Sequence, residues 1–207
     1  MSDISSIGLK SYIYDSGGAN ITLRDATPND APFLANCVMA AMHLHDFEQP
    51  MPSHLRDLHQ RLTNSQRQAS TLYTYTHSRI ALASGQVVGS LLSYPGDIYR
   101  QRRRETFERL WPQFMELEQR SEQETEPGEF YLDSMAVLPA FRRRGIAQML
   151  INDGIARGIA QGYVRIALVA DAAMPQLQRY YASLGFEPKE HRRAFDTDFV
   201  RMIYTVK

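Results

Sequence analysis

The run FRRRGIAQML at residues 141–150 places three consecutive arginines and a glycine directly before an apolar-periodic segment. A helix start leaves backbone N–H groups without partners and carries the positive end of the helix dipole, so an anion set there is stabilised by both. Gly145 has no side chain to hold a ligand away from those amides, and Arg142, Arg143 and Arg144 add positive charge around them. The chemistry this spacing points to is the grip of a pyrophosphate. The nucleotide P-loop is a poor match, since it needs a Gly-Lys-Ser/Thr ending, and so is the dinucleotide fingerprint with its three spaced glycines.

Such a turn works only if the elements on either side hold it still. Residues 130–138, FYLDSMAVL, read as a strand that Pro139 ends. After the turn, Ala147, Leu150, Ile151, Gly154, Ile155 and Gly158 recur at the spacing of one helix face. The two glycines on that stripe let the helix lie close to a sheet, and Gly162 is a natural stop. Residues 163–170, YVRIALVA, are nearly continuous in apolar and β-branched types, as a buried parallel strand requires. Strand, helix and strand in that order predict a βαβ unit with a right-handed crossover. A further helix is expected at 175–184 and a terminal strand at 199–206.

Upstream, residues 21–27 alternate as a first strand. Asn29 or Asp30 then caps a helix with Pro32 in its first turn and a face of Phe33, Leu34, Cys37, Val38 and Ala41. A second short helix is expected within 43–70, and Ser84-Gly85 joins two β-rich runs as a tight hairpin. Residues 98–122 read as a helix kinked or divided at Pro112, and the acidic stretch 122–129 as a solvated linker. Tyr73, Tyr75, Tyr94 and Tyr99 are read as strand-face packing, with pocket lining as the other use open to them. Residues 1–19 read as an N-terminal arm or extra edge strand, and 20–207 as a single domain with a helical insertion at about 97–123.

Lys and Arg number 23 against 23 Asp and Glu, so no global field favours nucleic acid or an anionic membrane as partner. The basic run at 100–104 is followed by Glu105 and Glu108, which suggests a salt-bridged helix face rather than a nucleic-acid patch. Cys37 is the only cysteine and is read as a buried core residue in a reducing compartment. No secretory leader is legible, and no apolar run approaches the roughly 18 residues of a membrane span, so a cytoplasmic protein is expected. His43 and His45 point to different helix sides, and no metal is expected.

Arg142-x-x-Gly145-x-Ala147, preceded by MAVLPAF and followed by an amphipathic helix, resembles the acetyl-CoA signature of the GNAT superfamily (GCN5-related N-acetyltransferases), written Arg/Gln-x-x-Gly-x-Gly/Ala. YYASLGF at 180–186 is similar to the family's Tyr-x-x-x-Gly-Phe, with Tyr181 at the tyrosine position and Tyr180 read as core. The resemblance covers the order of elements from 21 to 204, with residue-level motifs confined to 130–186. It implies an α/β (α+β) fold with a mixed, mostly antiparallel central sheet of about six to seven strands and helices on both faces. The strands flanking the signature helix would splay, so that a pantetheine arm runs between them.

The implied activity is transfer of an acetyl group from acetyl-CoA, as cosubstrate, to a primary amine of a small molecule, peptide or protein. Met135, Ala136 and Val137 would pair with the pantetheine, and Arg142, Arg143, Arg144, Gly145, Ile146 and Ala147 would hold the pyrophosphate. An amine must lose its proton before it attacks, and its unperturbed pKa is near about 10.4; Asp133, on the signature strand, is the candidate base. Tyr181 is the candidate acid for the leaving thiolate, and a backbone N–H of the strand would receive the oxyanion. Many family members carry an asparagine seven residues before the tyrosine, where this chain has Met174. A non-catalytic CoA-binding sensor is the alternative, and a homodimer is left open.

Overall fold

The computed structural model describes residues 15–16, 19–69, 71–112 and 115–207. Its sheet is built from β1 (Asp15–Ser16), β2 (Ala19–Asp25), β3 (Ser78–Ala83), β4 (Gln86–Pro95), β5 (Glu129–Val137), β6 (Arg165–Asp171), β7 (Glu187–Ala194) and β8 (Thr197–Thr205). They lie in the order β1-β2-β3-β4-β5-β6-β8-β7. Every pairing is antiparallel except β5 with β6. Since β1 is a two-residue edge piece, the seven longer strands agree with the mixed, mostly antiparallel sheet expected. The hairpin at Ser84-Gly85 forms as read, both residues at positive φ (48° and 84°), the twist that suits a two-residue connection.

Helices cover both faces. On one lie α1 (Ala31–Ala41), α2 (Arg56–Gln66) and α3 (Tyr99–Leu110), whose Val38, Met39, Leu62 and Phe107 pack with Tyr94 and Tyr131 of the sheet. On the other lie α5 (Ile146–Ala160) and α6 (Pro175–Ser183). Between α3 and α5, α4 (Met115–Arg120) follows Pro112, so the long helical stretch is divided there. In α5, Leu150 and Ile151 are fully buried, each contributing about 1.5–3 kcal/mol by leaving water. Gly154 and Gly158 let this helix approach the sheet. A Cβ at Gly154 would lie 2.8 Å from both Leu132 and Leu91, and one at Gly158 would lie 2.5 Å from Ile166.

The acidic stretch 122–129 is not the solvated linker expected. Glu129 is 0% exposed and ion-paired to Arg201, while Glu126 pairs with Arg192 at 2.6 Å. Arg192 and Arg201 come from β7 and β8, so the cations that neutralise this stretch are more than sixty residues away in sequence. The basic run ahead of it behaves as read: Arg104 pairs with Glu108 at 2.8 Å along the helix.

Candidate active site

The two parallel strands pair over only three positions, Glu129 with Arg165, Phe130 with Ile166 and Tyr131 with Ala167. Beyond them β5 runs on to Val137 and β6 to Asp171 without meeting again. On its other side β5 stays with β4, Leu91 opposite Met135, Ser90 opposite Ala136 and Gly89 opposite Val137. A bulge in β5, where Asp133 and Ser134 stand opposite Leu92 alone, adds local twist at the level where β5 departs from β6. From Leu132 to Val137, therefore, the edge of β5 that faces β6 has no strand partner for its backbone groups.

At the far end of β5 the chain turns through Pro139–Phe141 and reaches α5 with Arg143 at φ 60° and Gly145 at φ 76°. Gly145 is the N-cap and offers no side-chain acceptor. Among the described residues no group accepts from the N–H groups of residues 143–148. A Cβ at Gly145 would meet nothing within 4 Å, so the space over these amides is open. Arg142 Nε donates to the Val137 carbonyl at 3.1 Å, which ties the turn to the end of β5. Arg144 donates to the Ala140 carbonyl at 3.1 Å and lies 5.2 Å from the centre of the Phe141 ring. Arg143 makes no hydrogen bond or ion pair among the described residues.

A cleft of about 380 Å³ opens here, bringing together Val137, Arg142, Arg143, Gly145, Ile146 and Ala147. Arg144 and Ala136 are not part of its wall, and Met135 lines a larger pocket instead. Tyr180, read from sequence as core, is half-buried and lines the cleft. Its place on the first exposed turns of a helix beside the gap explains the difference.

The larger pocket, of about 570 Å³, holds both sequence-derived catalytic candidates, Asp133 and Tyr181, and Met174 lines it as well. Side chains alternate along β5, so Phe130 and Leu132 pack toward α5 while Tyr131 and Asp133 look toward α1–α3. Tyr94 sits opposite Tyr131 on β4, one diagonal step from Asp133, and donates its hydroxyl to that carboxylate. Ser134 Oγ donates to it as well, at 2.6 Å. Burial, and then the nearby charge of Glu124, push the Asp133 carboxyl up to about 7. Glu124 is itself raised by burial; it accepts the Tyr99 hydroxyl at 2.6 Å.

Burial first, with Tyr180 beside it, pushes the Tyr181 hydroxyl up to about 12, so it keeps its proton throughout the neutral range. Its ring packs edge-on against Phe186, the centroids 6.1 Å apart. Glu124 was invisible as a site residue because it lies in an aperiodic acidic stretch. Only the folded chain, which brings Glu124 to the Tyr99 hydroxyl and into the same pocket as Asp133, reveals the cluster.

A sheet opened between its two parallel strands, with a helix start of unpartnered amides at the mouth, defines the class of this mixed α/β protein. The sequence matches the model of the acetyltransferase (GNAT) family over residues 39–186, and the chain belongs to that family. Among solved structures it is similar to an N-acetyltransferase from Staphylococcus aureus Mu50, at 20% identity and TM-score 0.71 over 88% of this chain and 99% of that one. The aminoglycoside N-acetyltransferase AAC(6')-Iy, solved in complex with CoA, is 21% identical, with TM-score 0.56 over 84% and 91% of the two chains. The ribosomal-protein-S18-alanine N-acetyltransferase from Escherichia coli is 15% identical, with TM-score 0.54 over 90% and 94%. These likenesses are of fold, and their names span an aminoglycoside and a ribosomal protein, so the fold does not choose an acceptor. No curated protein matches the chain significantly.

Proposed function

We propose that residues 20–207 act as one N-acetyltransferase domain, moving an acetyl group from acetyl-CoA to a primary amine. The observation that carries this reading is the pair of clefts set against the same unpaired stretch of β5. One presents free amides and an open glycine; the other presents a carboxylate near 7 and a tyrosine that stays neutral.

The residues present fit CoA. The N–H groups of 143–148, with Arg142 and Arg143 beside them, would hold its phosphates, and the free edge of β5 from Met135 through Ala136 to Val137 would pair with its pantetheine amides. When bound, acetyl-CoA supplies an acetyl group activated as a thioester. Asp133 takes the proton of the incoming amine, and its raised value keeps it available as a base around neutral pH. Tyr181 holds a proton next to the place where the sulfur would leave. Backbone N–H groups on the open edge of β5 supply fixed dipoles for the oxyanion.

Among the described residues no helix is long and apolar enough to cross a membrane. Cys37 is buried, its thiol pushed up to about 12 by burial, which accords with the cytoplasm as the location proposed. The test is CoA release from acetyl-CoA across a panel of amines. Asp133→Asn should lower kcat by about 10²–10⁴-fold with acetyl-CoA affinity unchanged. Tight CoA binding with no turnover on any amine would favour the non-catalytic sensor instead.

A further inference from the structure

We infer that the acceptor is a small primary amine with one positive charge on a compact aromatic or branched apolar body, its ammonium group held between Glu124 and Asp133. The inference rests on the acyltransferase reading of the same pocket and adds the substrate class.

Both carboxylates line the 570 Å³ pocket, yet they arrive from different segments, Asp133 from the middle of β5 and Glu124 from the loop before it. Each is set by a buried tyrosine hydroxyl, from Tyr94 and Tyr99, and those two rings stack at 6.3 Å. A carboxylate accepts at about four lone-pair positions, so one or two such donors leave it room for an ammonium group. The nearest fixed cation is Arg103. It is engaged elsewhere, with Glu118 at 3.1 Å and the Glu122 carbonyl at 2.9 Å, and it lies against the rings of Tyr99 and Phe195 at 5.4 and 5.2 Å. No lysine or arginine lines the pocket; His43 is the basic side chain on its wall, and a third carboxylate, Asp171, lines it too. Two half-buried carboxylates that face the pocket with no lysine or arginine on its wall leave a place for a ligand ammonium.

The remaining wall sets the other half of the acceptor. Met42, Leu44, Phe107, Trp111, Phe195 and Phe199 present apolar surface. Phe195 is held at φ 51°, an unusual conformation for a bulky residue. Its N–H donates to Ser121 Oγ at 2.8 Å, and its ring stacks on Phe107 at 4.8 Å. That backbone belongs to the two-residue turn between β7 and β8, whose other central residue is Asp196 at φ 59°, and the turn fixes where the Phe195 ring stands on the pocket wall. A peptide or a sugar would set several amides or hydroxyls against these side chains, with only a few polar groups, Tyr73, His43 and Thr197 among them, to receive them. A polyamine's further charges would have Asp171 alone to meet them among the same rings.

The probe is 2-phenylethylamine, titrated calorimetrically into the intact protein with CoA present. Wild type should bind it at least tenfold more tightly than the neutral 2-phenylethanol, than spermidine and than triglycine. Glu124→Gln should weaken it at least tenfold while CoA affinity is kept. Failure of wild type to prefer the amine over the alcohol overturns the inference, whatever the variant does, and so does an unchanged affinity in Glu124→Gln. A preference for spermidine would bring Asp171 into use and overturn it too. CoA release is read separately. Binding as described without turnover on any amine would sink the acyltransferase reading but leave the subsite, whereas turnover on peptides with no binding of 2-phenylethylamine would do the reverse.

Discussion

If Glu124 raises Asp133, removing its charge must shift the acid side of the pH profile. Asp133 is pushed up to about 7, by burial first and by the Glu124 charge second. Glu124→Gln leaves the burial in place, keeps an acceptor for the Tyr99 hydroxyl and deletes the like charge. One close charge moves a carboxylate by about 1–3 units, and the lower figure suits a secondary cause, so the limb should fall from about 7 to about 6. The sign follows directly: a base that needs to be ionised becomes active at lower pH once its anionic neighbour is gone. At pH 6 the ionised fraction of Asp133 then rises from about a tenth to about a half, roughly fivefold. The assay is kcat/KM for a single amine from pH 5.5 to 8.5 at saturating acetyl-CoA. The ionisation of the amine is common to both proteins, so the ratio of variant to wild type cancels it. That ratio should be about five times higher at pH 6 than at pH 8. A ratio that stays flat across the range refutes the coupling, and a profile with no acid limb near 7 in wild type refutes Asp133 as the base.

Replacing Gly145 with Val should weaken CoA binding by at least about tenfold, because the side chain enters the open space over the amides while φ 76° stays strained for it. Its Tm should drop by only a few degrees, since no protein atom lies within 4 Å of the new Cβ; calorimetry with CoA and a thermal melt together check this. Tyr181→Phe should lower kcat by about 10²-fold and spare acetyl-CoA affinity. With its hydroxyl pushed up to about 12, no loss of wild-type activity from this group is expected below pH 10, which the alkaline arm of the same profile tests. Arg201→Met strands the buried Glu129 and should cost about 3–5 kcal/mol, whereas adding Glu129→Gln should restore much of it, as denaturant melts of the single and double variants will show.

The parts of this molecule that were legible in sequence are those where local rules and tertiary packing agree. The glycine stripe of α5, the Ser84-Gly85 hairpin and the arginine-glycine turn each carry their own geometry, and each appears where periodicity and turn chemistry put it. Asp133 and Tyr181 were found through motif position, and the structure brings them to the walls of one pocket. What stayed hidden was set by pairing across long separations. Glu129 reads as surface until Arg201 arrives from β8, and Glu124 until Tyr99 arrives from α3. The burial of Arg103 has the same origin, for a run of basic residues gives no sign of which one will be enclosed by aromatic rings.

Strand β5 carries three tasks at once, and its period of two is what keeps them apart. Phe130 and Leu132 hold α5, and with it the open amides at the start of that helix. Tyr131 and Asp133, one residue out of step, build the acidic side of the larger pocket. The backbone between Leu132 and Val137 is left free only because pairing to β6 stops after Tyr131. A one-residue slip of β5 against β4 would exchange the two faces and turn Asp133 toward the apolar side of α5. The bulge that sets Asp133 and Ser134 opposite Leu92 adds twist at the opening and moves the α5-facing positions of β5 from Phe130 and Leu132 to Met135 and Val137. Cofactor cradle, base and open edge depend on one register, so a deletion of Ser134 that removes the bulge should reduce CoA binding and turnover together, whereas Asp133→Asn should affect turnover alone.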